Sequence, residues 1–398
     1  MNTSIDKQFD GKFSVENRYD YLNLNTCRFL WKQVKFPTAT DTSNTTTQVL
    51  KEGEVQGSDV AAHSTGILDI KTTILPNADA LFLTAIDKYG HELWRWTFPV
   101  DKLNQTNEVF SPLSGKATYS ETENELTVKA KNHTFIFSKR DGQLKGVSVN
   151  NHKISFANGP RFIGARRADR SLDQFYNHDD EKAKEKDRTY SEFPDAAVFT
   201  KLEVKEDGGN LIVTANYKLG NLDKAQWTIN PNGEAALDYT YNFSGVVDLI
   251  GICFDYPEDQ VISKRWLGAG PYRVWQNRIH GTQYDVWEND YNDPIPGETF
   301  TYPEFKGYFD SVSWMNIRTK EGTISLTNET PDSYIGVYQP RDGRDRLLYT
   351  LPESGISVLD VIPPVRNKVN STDLCGPSSQ PKWVNGPQTG RIIFRFME

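Results

Sequence analysis

Three methionines, three cysteines and no run of eighteen apolar residues in 398 positions narrow the possibilities at once. Cys27, Cys253 and Cys375 are odd in number and far apart, so they form neither a CxxC pair nor the disulfide framework of a small secreted scaffold. Without a long apolar run there is no candidate transmembrane helix, and the opening Met-Asn-Thr-Ser-Ile-Asp-Lys lacks the apolar core of a signal peptide. The chain is expected to be soluble, and a periplasmic or secreted location would require an export signal on a longer parent. There is no block of five or more basic residues, and Lys+Arg 45 against Asp+Glu 53 leaves a net charge of -8. That balance argues against nucleic acid or an anionic membrane as partner. The six histidines include no HxxxH or comparable metal-ligand spacing, so a zinc site has no support.

What the chain has instead is aromatic residues, 12% of the total, in segments that alternate apolar and polar. Leu211, Val213, Ala215, Tyr217 and Leu219 share one face of an extended segment, as do Leu237, Tyr239, Tyr241 and Phe243, and then Ile392, Phe394 and Phe396. Turn signals separate such segments: Asp141-Gly142, Asp207-Gly208-Gly209, Asn230-Pro231-Asn232-Gly233, Glu321-Gly322 and Asp342-Gly343. The reading is all-β, with half-buried antiparallel strands. Only 179–188 suggests a helix, and its mix of acids and bases leaves it no apolar stripe. A small β-sandwich of immunoglobulin size is expected over 1–100, interrupted by a Thr/Ser/Asn-rich loop at 38–47. A polar linker follows over 101–117, then a large double-sheet domain over 118–398.

The segment from Trp266 to Arg278 is the densest in chemistry. It holds Trp266, Tyr272 and Trp275, the guanidinium groups of Arg273 and Arg278, the amides of Gln276 and Asn277, and a Gly-x-Gly-Pro turn. Planar apolar faces beside hydroxyl-bonding donors are what gripping a sugar requires, while a tight turn with core aromatics and ion-paired arginines accounts for the same residues. Further on, Asp285, Trp287, Asn289, Asp290, Asn292 and Asp293 mix carboxylates, amides and an aromatic ring. Their oxygens suit a structural Ca2+ as well as a sugar, but no EF-hand spacing is present and a solvated loop explains them; no other cofactor is expected. Glu304, between Pro303 and Phe305, is read either as a carbohydrate contact or as one half of a buried ion pair with Arg278 or Arg318.

Several segments resemble a known family. Gly11 to Leu24, then Trp31 and Gly66-Ile67-Leu68-Asp69-Ile70, resemble the immunoglobulin-like domain that follows the catalytic barrel in family 2 β-galactosidases. Glu125 to Val128, Phe135 to Leu144, and the Gly270-Pro271 to Arg278 turn are similar to the last domain of those enzymes, the small-chain β-supersandwich, whose fold is galactose-mutarotase-like. The resemblance implies a catalytic (β/α)8 barrel carrying two glutamates about 5 Å apart. Nothing here alternates strand and helix as that barrel would, so the resemblance assigns the chemistry to an upstream segment or a separate large subunit. This chain is then expected to be non-catalytic, to shape the active site and to bind a galactoside or related glycan.

Two family features are altered. The family's Gly-Gly-Asp-Asp-Ser-Trp loop, whose tryptophan is a sugar platform, corresponds here to Cys375-Gly376-Pro377-Ser378-Ser379-Gln380, with Trp383 three residues later. Gln380 cannot stack, so either Trp383 takes the platform role or the contact is lost. An Arg-Ala-Pro-x-Asp-Asn-Asp motif survives only as fragments around Arg167 to Ser171 and Asn177 to Asp180. The expected carbohydrate contacts are Trp266, Tyr272, Arg273, Trp275, Arg278, Trp287, Glu304, Gln380 and Trp383. A free-standing carbohydrate-binding module, with Trp314 as a further stacking ring, is one alternative. The other is an aldose 1-epimerase, which the supersandwich also resembles and for which His178, His280 and Glu304 would be the acid and base candidates.

Overall fold

The computed structural model describes residues 4–41, 46–100, 115–167, 190–290, 307–330, 332–337, 352, 354–364 and 376–398. The fold is all-β: among these residues there is no α-helix, only three short 3-10 turns at Leu24–Thr26, Glu258–Gln260 and Pro377–Ser379. None has a helix long and apolar enough to cross a membrane. The chain divides into two compact units, residues 1–108 with 283–286, and residues 109–282 with 287–398.

The first unit holds strands β1 (Lys12–Asn17), β2 (Arg28–Lys35), β3 (Gln48–Gln56), β4 (Ser64–Asp69), β5 (Ala80–Ile86) and β6 (Glu92–Pro99). β1 and β4 form a two-stranded ribbon, and the other four form a sheet in the order β3-β2-β5-β6, all antiparallel. β5 lies inside that sheet and is nearly continuous in apolar residues, whereas β2 alternates, sending Phe29 and Trp31 into the core. Gly53 on β3 is glycine because the Trp31 ring crosses it: a Cβ there would sit 2.4 Å from that ring. Asn17 ties the end of β1 to two loops, its amide donating to the carbonyls of Leu22 at 2.8 Å and Val60 at 2.9 Å.

The second unit is built from two large antiparallel sheets. One runs in the order Val198–Asp207, Asn210–Lys218, Leu222–Ile229, Ala235–Val247, Lys382–Met397, Gly322–Asn328, Trp314–Thr319, Val261–Gly270 and Gln283–Asp290, the last belonging to this unit from Trp287 onward. The other has eleven strands, with Ala157–Arg167 and Leu249–Asp255 near its middle. The alternating residues read from the sequence supply the core: Leu211, Val213, Leu237, Tyr241, Ile392, Phe394 and Phe396 are all buried. Leu219 is the exception, since its strand ends at Lys218 and Leu219 stands 73% exposed with φ of 59°. The Asp207-Gly208-Gly209 signal closes a two-residue hairpin, Asp207 facing Asn210 with both glycines at positive φ. The expected helix at 179–188 and the turn at Asp342-Gly343 lie outside the described residues.

Within the core of this unit the Tyr241 hydroxyl donates to the carboxylate of Asp360, on the strand Ile356–Val361. Burial pushes the Asp360 carboxyl upward, and the bond from Tyr241 only partly opposes it. A carboxyl raised in the folded state stabilises fully below the unfolded value of about 4 and loses that contribution as pH rises through the folded value. Asp360→Asn keeps an acceptor for Tyr241 and removes the titration. In urea melts across pH, the wild-type midpoint should therefore fall relative to that of Asp360→Asn from about pH 4 upward. Parallel profiles would show that the carboxyl is not held protonated.

Candidate functional site

The Trp266 to Arg278 segment begins in the strand Val261–Gly270 and leaves it through a cis Gly270-Pro271 bond. Two of its tryptophans face protein. Trp266 is fully buried, donates Nε1-H to the Ala269 carbonyl at 3.0 Å and meets Phe309 edge-on at 4.9 Å. Trp275 is 2% exposed and packs edge-on against Tyr308 at 5.7 Å. Trp287 is half-buried, donates to the Gly268 carbonyl at 3.2 Å and lies against Gly270, where a Cβ would come within 2.5 Å of the indole. Gly270 thus leaves room for an indole at the strand end, while Gly268 makes room for the backbone of 310–312.

The cations separate in the same way. Arg273 is buried with its guanidinium 5.8 Å from the centre of the Phe309 ring, and the fully buried Lys264 approaches that ring at 5.9 Å. At Asp310, the residue after Phe309, burial pushes the carboxyl up, against the hydrogen bond it accepts from the Ser311 hydroxyl at 3.0 Å. Arg278 is exposed, and its backbone N-H donates to the Trp275 carbonyl at 2.8 Å. Tyr272, at the tip of the turn, is 43% exposed.

The two amides of the segment do not point outward for a ligand. Gln276 Nε2 donates to the Gln380 carbonyl at 2.7 Å, and Asn277 Nδ2 donates to Ser379 Oγ at 3.1 Å. They dock the Gly376–Gln380 loop onto the Pro271–Arg278 turn, although about a hundred residues separate the two. Gln380 is half-buried there, and Trp383, three residues on, is 67% exposed at the start of the strand Lys382–Met397, opposite Val246. Tyr272 and Arg278 of the turn, and Trp383 just beyond the loop, are exposed to solvent, whereas Trp266, Arg273 and Trp275 are buried in packing. No sequence pattern links Gln276 to the 376–380 loop, so this tie appears only in three dimensions.

The other candidates fall elsewhere. Glu304, His178, Asn292 and Asp293 lie outside the described residues, His280 and Arg318 are exposed, and Trp314 is buried with the Arg265 guanidinium 5.7 Å from its ring centre. Asp285 belongs to the first unit, where it pairs with Arg95 at 3.1 Å and accepts from Thr47 Oγ1 at 2.7 Å. Both of its carboxylate oxygens thus have protein partners. Among the described residues no group of three or more His, Cys, Asp or Glu is placed to hold a metal ion.

A sequence model of the β-galactosidase small chain matches residues 129–352. No curated protein matches the chain. Among solved structures, galactose 1-epimerase from Lactobacillus acidophilus NCFM is similar over 72% of this chain and 99% of its own, at 10% identity and a TM-score of 0.39. A galactose mutarotase-like protein from Lactobacillus casei ATCC 334 is similar over 70% of this chain and 99% of its own, at 9% identity and a TM-score of 0.33.

Proposed function

The chain belongs to the β-galactosidase small-chain family, and from that premise we propose that it is the non-catalytic C-terminal portion of a family 2 β-galactosidase-like glycoside hydrolase. Its role is to bind carbohydrate and to shape one wall of an active site whose (β/α)8 barrel, with its pair of carboxylates, lies on another segment or subunit. The observation that carries this reading is the family match over 129–352. The docked turn and loop support it, because an exposed indole, a phenol and a guanidinium on neighbouring segments offer stacking faces and hydroxyl donors without an acid–base pair. Of the nine expected contacts, Tyr272, Arg278 and Trp383 are the ones we assign to sugar. Trp383 takes the platform role vacated at Gln380.

Titration with lactose or galactose while following tryptophan fluorescence tests this. The wild-type chain should show saturable binding in the millimolar range, and Trp383→Ala should weaken it about three- to tenfold, the worth of one stacked ring. Because Trp383 is 67% exposed, the same substitution should leave the melting temperature almost unchanged. Aryl β-galactosides incubated with the chain alone should be cleaved no faster than with a heat-denatured sample. Turnover by the isolated chain, or sugar binding indifferent to Trp383, would overturn the reading.

A further inference from the structure

The first unit contains a cavity of about 450 Å³ that the carbohydrate reading does not use. Its origin is geometric. A four-stranded sheet faces a ribbon of only two strands, and with strands about 4.8 Å apart the ribbon leaves roughly 10 Å of the sheet's inner face without a covering strand. The floor is Phe29, Leu83 and Ala85, all buried, from β2 and β5. The walls are Phe13 and Val15 of β1 on one side and Trp96 and Phe98 of β6 on the other, each half-buried and so turning a surface into the space. Phe13 and Phe98 meet at 4.7 Å and close one end.

Most of the polar side chains around this space already have partners. Both polar atoms of the Asn17 side chain are engaged, Nδ2 by the Leu22 and Val60 carbonyls and Oδ1 by the Tyr19 backbone N-H at 3.0 Å. Glu16 and Arg18 pair at 2.8 Å on the outer rim. The Cys27 thiol, buried, donates to the Tyr19 hydroxyl at 3.8 Å. Burial raises that phenol to about 12, so it stays neutral at ordinary pH. A sugar would lose its hydrogen bonds to water here and find few in return, and an ion would fare worse. Flat apolar surface is what the walls match, and 450 Å³ falls within the range of small-molecule sites.

We propose that this cavity between the β1–β4 ribbon and the β2-β5-β6 sheet is a binding site for an uncharged, planar, largely apolar molecule of about two aromatic rings. It is independent of the carbohydrate surface of the second unit and requires nothing of the family assignment. The probe pair is N-phenylnaphthylamine and its sulfonated analogue anilinonaphthalene sulfonate, which share a ring skeleton and differ by one charge. The neutral dye should bind one to one with a Kd on the order of 10 µM, quench Trp96, and bind about tenfold or more tighter than the sulfonate. Excess galactose should not displace it.

Two variants fill the space from different sides. Ala85→Phe projects a ring from the floor, and Val15→Trp does so from the half-buried wall, where the demand on folding is smaller. Each should weaken the neutral dye at least tenfold while near-ultraviolet circular dichroism reports an intact fold. Bound dye should also slow modification of Cys27 by a neutral thiol reagent. Non-saturable binding, equal affinity for the sulfonate, or full binding by a folded Val15→Trp protein would overturn the proposal.

Discussion

Glu234→Ala should destabilise the second unit by about 3–5 kcal/mol. Glu234 and Arg395 are paired at 2.7 Å with side-chain exposures of only 12% and 9%. Arg395 also donates to Thr327 Oγ1 at 2.9 Å, and Glu234 accepts from Asn230 Nδ2 at 2.7 Å. Removing the carboxylate takes a close ionic partner from a largely desolvated guanidinium, and the cost of keeping that charge in a dry site, more than the lost attraction, sets the size of the effect. The double variant Glu234→Leu/Arg395→Met should recover most of the loss, because two apolar groups of similar volume need no mutual charge. Urea unfolding followed by fluorescence measures both. A loss below about 1 kcal/mol for Glu234→Ala would mean that water reaches the pair.

Phe394→Ala should cost a similar amount, about 3–5 kcal/mol, by a different mechanism. Phe394 is the residue before Arg395 and therefore points to the other face of the same strand, into the core between the sheets. Its ring is surrounded by those of Phe156 at 5.1 Å, Phe254 at 5.4 Å and Trp227 at 5.9 Å, and it is 1% exposed. Deleting it leaves a cavity walled by large rings held on three different strands or loops, which cannot all move in to fill it. Phe394→Leu should cost markedly less, because most of the volume remains. Equal losses for the two substitutions would show that aromatic geometry, not volume, is what the site requires.

Much of the architecture was legible from the sequence. The period of two in Leu211 to Tyr217, Leu237 to Tyr241 and Ile392 to Phe396 names the strands and their buried faces, and Asp141-Gly142, Asp207-Gly208-Gly209, Asn230 to Gly233 and Glu321-Gly322 mark hairpins that the structure contains. Leu219 breaks the pattern for a local reason: at the strand end the backbone enters the left-handed region and the side chain swings outward. The candidate site was legible only as a list. Trp266, Tyr272 and Trp275 are equally aromatic in the sequence, but Phe309 and Tyr308 cover the first and third while Tyr272 stands at a turn tip. Gln276 and Asn277 read as hydroxyl donors, yet they spend their amides on a loop a hundred residues away.

The sequence by itself determined the class of structure and the family, because alternation, turn chemistry and motif residues act over a few neighbouring positions. It also set the balance of charge that argues against nucleic acid. Only the tertiary structure decided that the last strand, Lys382–Met397, lies in the middle of its sheet, between Ala235–Val247 and Gly322–Asn328. It alone decided which rings are covered, where the Gly376–Gln380 loop docks, and that a two-stranded ribbon opposes a four-stranded sheet. The physical reason is that burial of a side chain depends on what packs across from it, and in an antiparallel fold with long connections that neighbour is often a hundred or more residues away.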